Sequence, residues 1–173
     1  YGGYVAEQLN KYDVALGFYS QLIEMNILTK KNTNTIYQNS INILFNHCNL
    51  FDECDSFEKS IKLISEGKNI FPENNYYPSI EINIAMRLNK VDDARNKIDN
   101  QLKADPTNAS LHFNRAVLYY NLGLALGENL EFSNKEKLDT LDIIYKISIE
   151  AYQKSLELDE NNEKAIIYMI DAY

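Results

Sequence analysis

Val91-Asp92-Asp93-Ala94-Arg95-Asn96-Lys97-Ile98-Asp99-Asn100-Gln101-Leu102-Lys103-Ala104-Asp105-Pro106 sets the frame of the chain. Val91, Ala94 and Ile98 recur at steps of three and four, so they share one face of a helix. The small residue admits a neighbouring helix closely, and the bulky one fills the gap beside it. Pro106 ends the segment, because it cannot continue the hydrogen-bond ladder. Thirty-four residues earlier the pattern recurs as Phe57, Ser60 and Ile64, ending at Pro72. Near the start it is Tyr12, Ala15, Tyr19 and Leu22. Near the end it is Tyr145, Ser148, Tyr152 and Ser155, with Glu160 in the proline's place.

Each framed segment follows another helical stretch. Asn32–Cys48 carries Ile36, Ile43, Leu44 and Phe45; Asn75–Leu88 carries Ile80, Ile84 and Leu88; Asn108–Leu130 carries Phe113, Ala116, Val117 and Tyr120. Tyr1–Leu9 is a shortened first member, and Glu163–Tyr173 opens a further pair. The chain therefore reads as all-α, a stack of antiparallel helix hairpins. With 45% hydrophobic residues it is a folded sequence. Only 6 Gly and 3 Pro leave too few turn residues for a multi-turn β architecture.

Two helices per 34 residues with this frame resemble the tetratricopeptide repeat. Ser148-Ile149-Glu150-Ala151-Tyr152-Gln153-Lys154-Ser155-Leu156-Glu157-Leu158-Asp159, followed by Glu160-Asn161-Asn162, is similar to the family's second helix and its exit. Leu111-His112-Phe113-Asn114-Arg115-Ala116-Val117-Leu118-Tyr119-Tyr120 is similar to its first helix. The resemblance implies a right-handed α-solenoid in one domain over 1–173, a fragment of a longer array. Its repeats would be 1–28, 32–73, 75–107 and 108–161, with 163–173 starting the next. The pattern departs from the family at Glu81-Ile82, where a leucine-glycine pair is usual, and at Leu22 and Gln101, where a small residue is usual.

Ala15, Ser60, Ala94 and Ser148 stand 45, 34 and 54 positions apart. The last interval holds Leu122, Ala125, Leu126 and Leu130, then Leu138, Leu141, Ile144 and Tyr145, all at helical spacing. Both helices of the 108–161 hairpin are therefore expected to be lengthened by about ten residues, or ~15 Å, as in some bacterial tetratricopeptide proteins. Ser133-Asn134-Lys135-Glu136 reads as a capping box for the second arm. Gly123 and Gly127 read as points of close helix packing. The surplus in the first interval reads as a longer first helix and turn, with an N-cap at Asp55 or Ser56.

The net charge of -8 opposes nucleic acid and anionic membrane surfaces as partners. No apolar run is long enough to span a bilayer, so no membrane insertion by this segment is expected. Cys48 and Cys54 match no common zinc spacing. Two buried thiols fit cysteine's habit best, and a disulfide stays open. His47 and Cys48 are helix neighbours that point apart. No phosphate loop, dinucleotide fingerprint, metalloprotease motif or nucleophile elbow occurs, so no catalytic, metal or cofactor site is expected. Asn108-Ala109-Ser110 matches a glycosylation acceptor but sits where an N-cap belongs. No signal segment opens the chain, so the compartment stays open between cytoplasm and a bacterial periplasm.

The resemblance implies a non-catalytic scaffold that binds a peptide or protein segment in a groove lined by first helices. The alternatives are a recruiting arm of a larger enzyme and an envelope assembly protein. The lining would be Tyr76, Ser79, Ile80, Asn83, Met86 and Arg87, then Ser110, Phe113, Asn114, Val117, Tyr120 and Asn121, then Lys164, Ile167 and Tyr168. Aromatic rings bury much area at little entropic cost, and amides serve a peptide backbone as donor and acceptor. One branch of the family grips a terminal carboxylate with two Lys, two Asn and an Arg. Asn83, Asn114 and Lys164 match it, while Ser79 and Tyr168 replace a lysine and the arginine, which removes much of the charge-assisted binding. Self-association through the unfinished terminal repeats is a further alternative.

Overall fold

The computed structural model describes residues 2–25, 28–128 and 135–172, apart from the side chains of residues 53, 54, 171 and 172. In chain order its helices are α1 (Gly2–Gln8), α2 (Tyr12–Met25), α3 (Lys30–Asn46), α4 (Glu53–Ile70), α5 (Tyr76–Arg87), α6 (Val91–Ala104), α7 (Ala109–Glu128), α8 (Lys135–Leu158) and α9 (Glu163–Ala172). A 3-10 turn, Cys48–Leu50, precedes α4. Among the described residues there is no strand. The chain divides into two compact units, residues 1–84 and 85–173.

Short polar side chains set the helix ends. Asn10 and Asn89 take positive φ, 56° and 54°. Each closes the preceding helix with the same pair of bonds: Lys11 N–H to Ala6 O and Asn10 N–H to Glu7 O, then Lys90 N–H to Ala85 O and Asn89 N–H to Met86 O. This is the left-handed stop usually assigned to glycine, and asparagine tolerates it. The turns entering α7 and α9 share another device. Asp105 Oδ1 accepts from Thr107 N at 3.1 Å and Asn108 Oδ1 from Leu111 N at 3.2 Å. Asp159 and Asn162 repeat both bonds toward Asn161 N and Ala165 N, each at 3.2 Å. Asn108 is thus an N-cap.

The repeated frame lies at the centre of the packing. Ala15, Ser60, Ala94 and Ser148 are each 0% exposed, and the bulky residues four later, Tyr19, Ile64, Ile98 and Tyr152, are at most 4% exposed. In the first unit Ala6, Ala15, Tyr19, Ile36 and Ile43 form a cluster joining α1, α2 and α3. In the second, Ala116, Ala151, Tyr152 and Ala165 join α7, α8 and α9, with Phe113 and Val117 packed against them. Burying each large side chain contributes ~1.5–3 kcal/mol. The frame's serines are satisfied. Ser148 Oγ donates to Ala116 O and Ser155 Oγ to Ala109 O, both at 2.9 Å, so two bonds one heptad apart tie α8 to α7.

Two expectations need correction. The N-cap of α4 is Asp52, which accepts from Asp55 N at 2.9 Å, not Asp55 or Ser56. The surplus residues lengthen α3, which has 17 residues against 12 in α5, and form the 3-10 turn and the first turn of α4, so only the cap position differs from the expectation. The capping choice fell one turn late because Asp52 is hidden in an acidic run where several residues could cap. Gly123 is a point of close packing, since a Cβ there would lie 2.7 Å from the Tyr145 ring, but a Cβ at Gly127 would meet nothing within 4 Å among the described residues. The two arms of that hairpin, α7 and α8, run 20 and 24 residues. Ser133 and Asn134 of the expected capping box lie outside the described residues, as does the side chain of Cys54. Cys48 is a buried thiol.

Candidate functional site

In the first unit, α3 presents Asn34, Gln38, Asn42 and Asn46 at four-residue steps, a stripe of amides along one face. The loop before α5 and its first turn bring two tyrosines onto that stripe. Tyr76 OH reaches Asn42 Oδ1 at 2.7 Å and Gln38 O at 3.2 Å. Tyr77 OH donates to Asn34 Oδ1 at 2.7 Å, and Asn74 Nδ2 donates to the same oxygen at 3.0 Å. Asn74 is itself oriented, because its Oδ1 accepts from Tyr76 N at 3.0 Å. The chain of bonds holds the Asn34 carbonyl inward and leaves its NH₂ as the group available to a ligand.

Burial pushes both phenols up, Tyr77 to about 12 and Tyr76 further, with Tyr77's own charge adding to the Tyr76 shift. Tyr37 rises to about 12, through burial first and then its bond to Glu66 Oε2 at 3.0 Å. All three stay neutral donors well above physiological pH. At the other end of the stripe a pocket of about 290 Å³ is lined by Glu7, Asn10, Tyr12, Asn42, Asn46 and His47, among others. His47 stacks on Tyr12, with ring centroids 3.8 Å apart. Asn42 therefore belongs to both the tyrosine network and the pocket.

The expected lining residues fall in both units. In the first, Tyr76, Ser79 and Asn83 are half-buried, and Ser79 Oγ is turned back to Asn75 O at 2.8 Å. In the second, Met86 is half-buried, while Arg87, Ser110, Asn121, Lys164 and Tyr168 are exposed. Phe113 meets the Tyr168 ring edge-on at 6.0 Å and tilts on Tyr152 at 5.9 Å. Phe113 and Val117 thus also serve the core, while Asn114 is half-buried. Tyr120 packs on Tyr145 at 6.2 Å, and burial raises the Tyr145 phenol. The amide stripe of α3 was missed by sequence reasoning, which followed only the apolar residues of that segment. The four-residue spacing of Asn34, Gln38, Asn42 and Asn46 was the available signal. Among the described residues no group of His, Cys, Asp or Glu side chains is gathered as a metal site, and no helix is long and apolar enough to cross a membrane.

Such hairpins, with a buried small-and-bulky frame on each second helix, define a tetratricopeptide-like helical repeat fold. Among solved structures, the MamA RS-1 ArsTM double mutant superposes with a TM-score of 0.60 at 14% identity, over 98% of this chain and 78% of that one. A TPR repeats protein from Bacteroides fragilis matches at 0.47 and 14% identity, over 99% of this chain and 94% of that one. The first TPR domain of human RPAP3 matches at 0.48 and 15% identity, over 78% and 91%. No family model and no curated protein matches the sequence.

Proposed function

We propose that the chain is a non-catalytic scaffold that holds a peptide or protein segment along its first helices. The observation that carries this reading is the α3 stripe, where half-exposed amides are pre-oriented by the donors of Tyr76, Tyr77 and Asn74. Preorganised donors lose little entropy on meeting a peptide backbone. The excess of 25 acidic over 17 basic residues favours a protein over a nucleic acid as partner. In the second unit Asn114, Asn121, Lys164 and Tyr168 supply the contacts; in the first, Asn34, Asn42, Tyr76 and Asn83 do so. The same reading divides the chain into repeats at 1–28, 32–73, 75–107 and 108–161, with 163–173 opening the next.

The test is a peptide selected from a random library on the immobilised chain, followed by amide-shift mapping. The expected result is that shifts concentrate on these residues and that Asn42→Leu weakens binding in a chain that stays folded by circular dichroism, after a loss of about 1 kcal/mol with the Tyr76 bond. Shifts confined to second helices would refute the reading.

A further inference from the structure

A second surface lies apart from the amide stripe. Between α2 and α4, with α3 beneath, the first unit holds a half-open cavity of about 560 Å³. Its apolar lining is Leu16, Ile23, Leu44, Phe51 and Leu63. Phe51 reaches it because the surplus residues before α4 form the 3-10 turn and an added helical turn. Gly17 opens it from α2, since a Cβ there would meet nothing within 4 Å. Ser56 lines it from α4, and its buried hydroxyl has no hydrogen-bond partner among the described residues.

The charges at the rim are arranged by length. On α2, Asp13 and Glu24 border the cavity eleven positions apart, three helical turns or ~16 Å. Both are exposed, and neither forms an ion pair among the described residues. On α4, Asp55 is engaged by Lys59 and Glu66 accepts from Tyr37 OH. Lys62 borders the same wall. Four carboxylates thus surround the cavity against two ammonium groups, and the two uncommitted carboxylates stand along one wall.

We propose that this cavity is a docking groove for a basic amphipathic helix of a partner protein, about three turns long. Its apolar stripe fills the space over Leu16, Ile23, Leu44 and Leu63. Two basic side chains about eleven positions apart pair with Asp13 and Glu24. Helix-in-groove recognition of this kind reads apolar anchors at i, i+3, i+4 and i+7. The missing side chain at Gly17 lets the helix approach α2 closely.

The probe is a labelled amphipathic peptide with a leucine stripe and lysines eleven positions apart, read by fluorescence anisotropy on the full chain. A twin peptide carries glutamates at those two positions. The lysine peptide should bind about tenfold more tightly, the ratio expected of two exposed ion pairs, and the gap should shrink with salt. Asp13→Lys with Glu24→Lys should reverse the preference. Gly17→Leu should abolish binding of both peptides while keeping the helical circular dichroism, because the space it enters is empty. Equal binding of the twins, no binding of the lysine peptide, or binding unmoved by Gly17→Leu would overturn the proposal. Self-association of the chain that Gly17→Leu removes would overturn it too, since a second copy would then be the occupant.

Discussion

Gly67→Ala is expected to destabilise the first unit, although helix propensity alone says the opposite. Gly67 lies inside α4, where alanine is favoured by about 1 kcal/mol. A Cβ at this position would fall on the Tyr77 ring: by its Cε1, Cζ and Cδ1 atoms, all closer than 3.0 Å. Tyr77 cannot yield cheaply. It is 0% exposed, its ring stacks on Phe71 at 6.2 Å, and its hydroxyl holds Asn34 at 2.7 Å. Overpacking costs ~1–3 kcal/mol and the displaced hydrogen bond ~1 kcal/mol. After subtracting the propensity gain, a net loss of about 1–3 kcal/mol remains. Gly17→Ala is the control, since the same substitution meets open space there and should stabilise by ~0.5–1 kcal/mol. Urea denaturation of the full chain gives both midpoints. The clash should vanish when Gly67→Ala is placed in a Tyr77→Ala background, so the double variant should lose less stability than the sum of the two single variants. A Gly67→Ala protein as stable as the parent would refute the packing argument.

The remaining expectations concern the tyrosines, the caps and the serine ties. Tyr37 and Tyr77 have folded pKa values of about 12, above the ordinary 10.0, so the folded state holds their protons more firmly. The stability this linkage contributes is present below pH ~10 and lost as pH rises from ~10 to ~12. Melting temperature followed by circular dichroism should stay level to about pH 9 and fall beyond it; a level profile through pH ~12 would contradict this. Asn89→Ala should cost ~1 kcal/mol and Asn89→Gly nothing or less, because only the positive φ is at stake; chemical denaturation decides. Asp52→Ala should cost ~1 kcal/mol by removing the cap of α4, while Ser56→Ala should be neutral or stabilising because its hydroxyl is unpartnered. Ser148→Ala should cost ~1 kcal/mol through its bond to Ala116 O.

The helices were readable because their apolar period is physical. A residue at step three and another at step seven must share a face whatever the partner, so Ala15, Ser60, Ala94 and Ser148 announced the buried contacts before any coordinates. The cap of α4 was less readable. Asp52, Glu53 and Asp55 all carry acceptors, and the sequence does not single out Asp52, which accepts from Asp55 N, as the one that starts the helix. The asparagine stops escaped notice because glycine is the residue usually sought there, yet Leu-Asn-Lys precedes both α2 and α6. The tyrosine network was not readable at all. Tyr77 lies 43 positions from Asn34, and nothing local says that its hydroxyl ends on that amide.

The same contrast separates what the two surfaces of the first unit can do. On α3 the polar groups bind one another, so a partner meets donors already aimed and adds few ordering costs. Beside α2 the carboxylates of Asp13 and Glu24 are uncommitted and the centre is apolar, so a partner must bring its own order and its own charge. The first arrangement suits an extended backbone, whose acceptors repeat regularly. The second suits a preformed helix, whose side chains supply the anchors. Salt separates them: binding at Asp13 and Glu24 weakens as ionic strength rises, whereas binding at Asn34 and Asn42, which are neutral, hardly changes. A single partner that touches both surfaces would show one salt-sensitive and one salt-insensitive component, and the variants Gly17→Leu and Asn42→Leu would remove them one at a time.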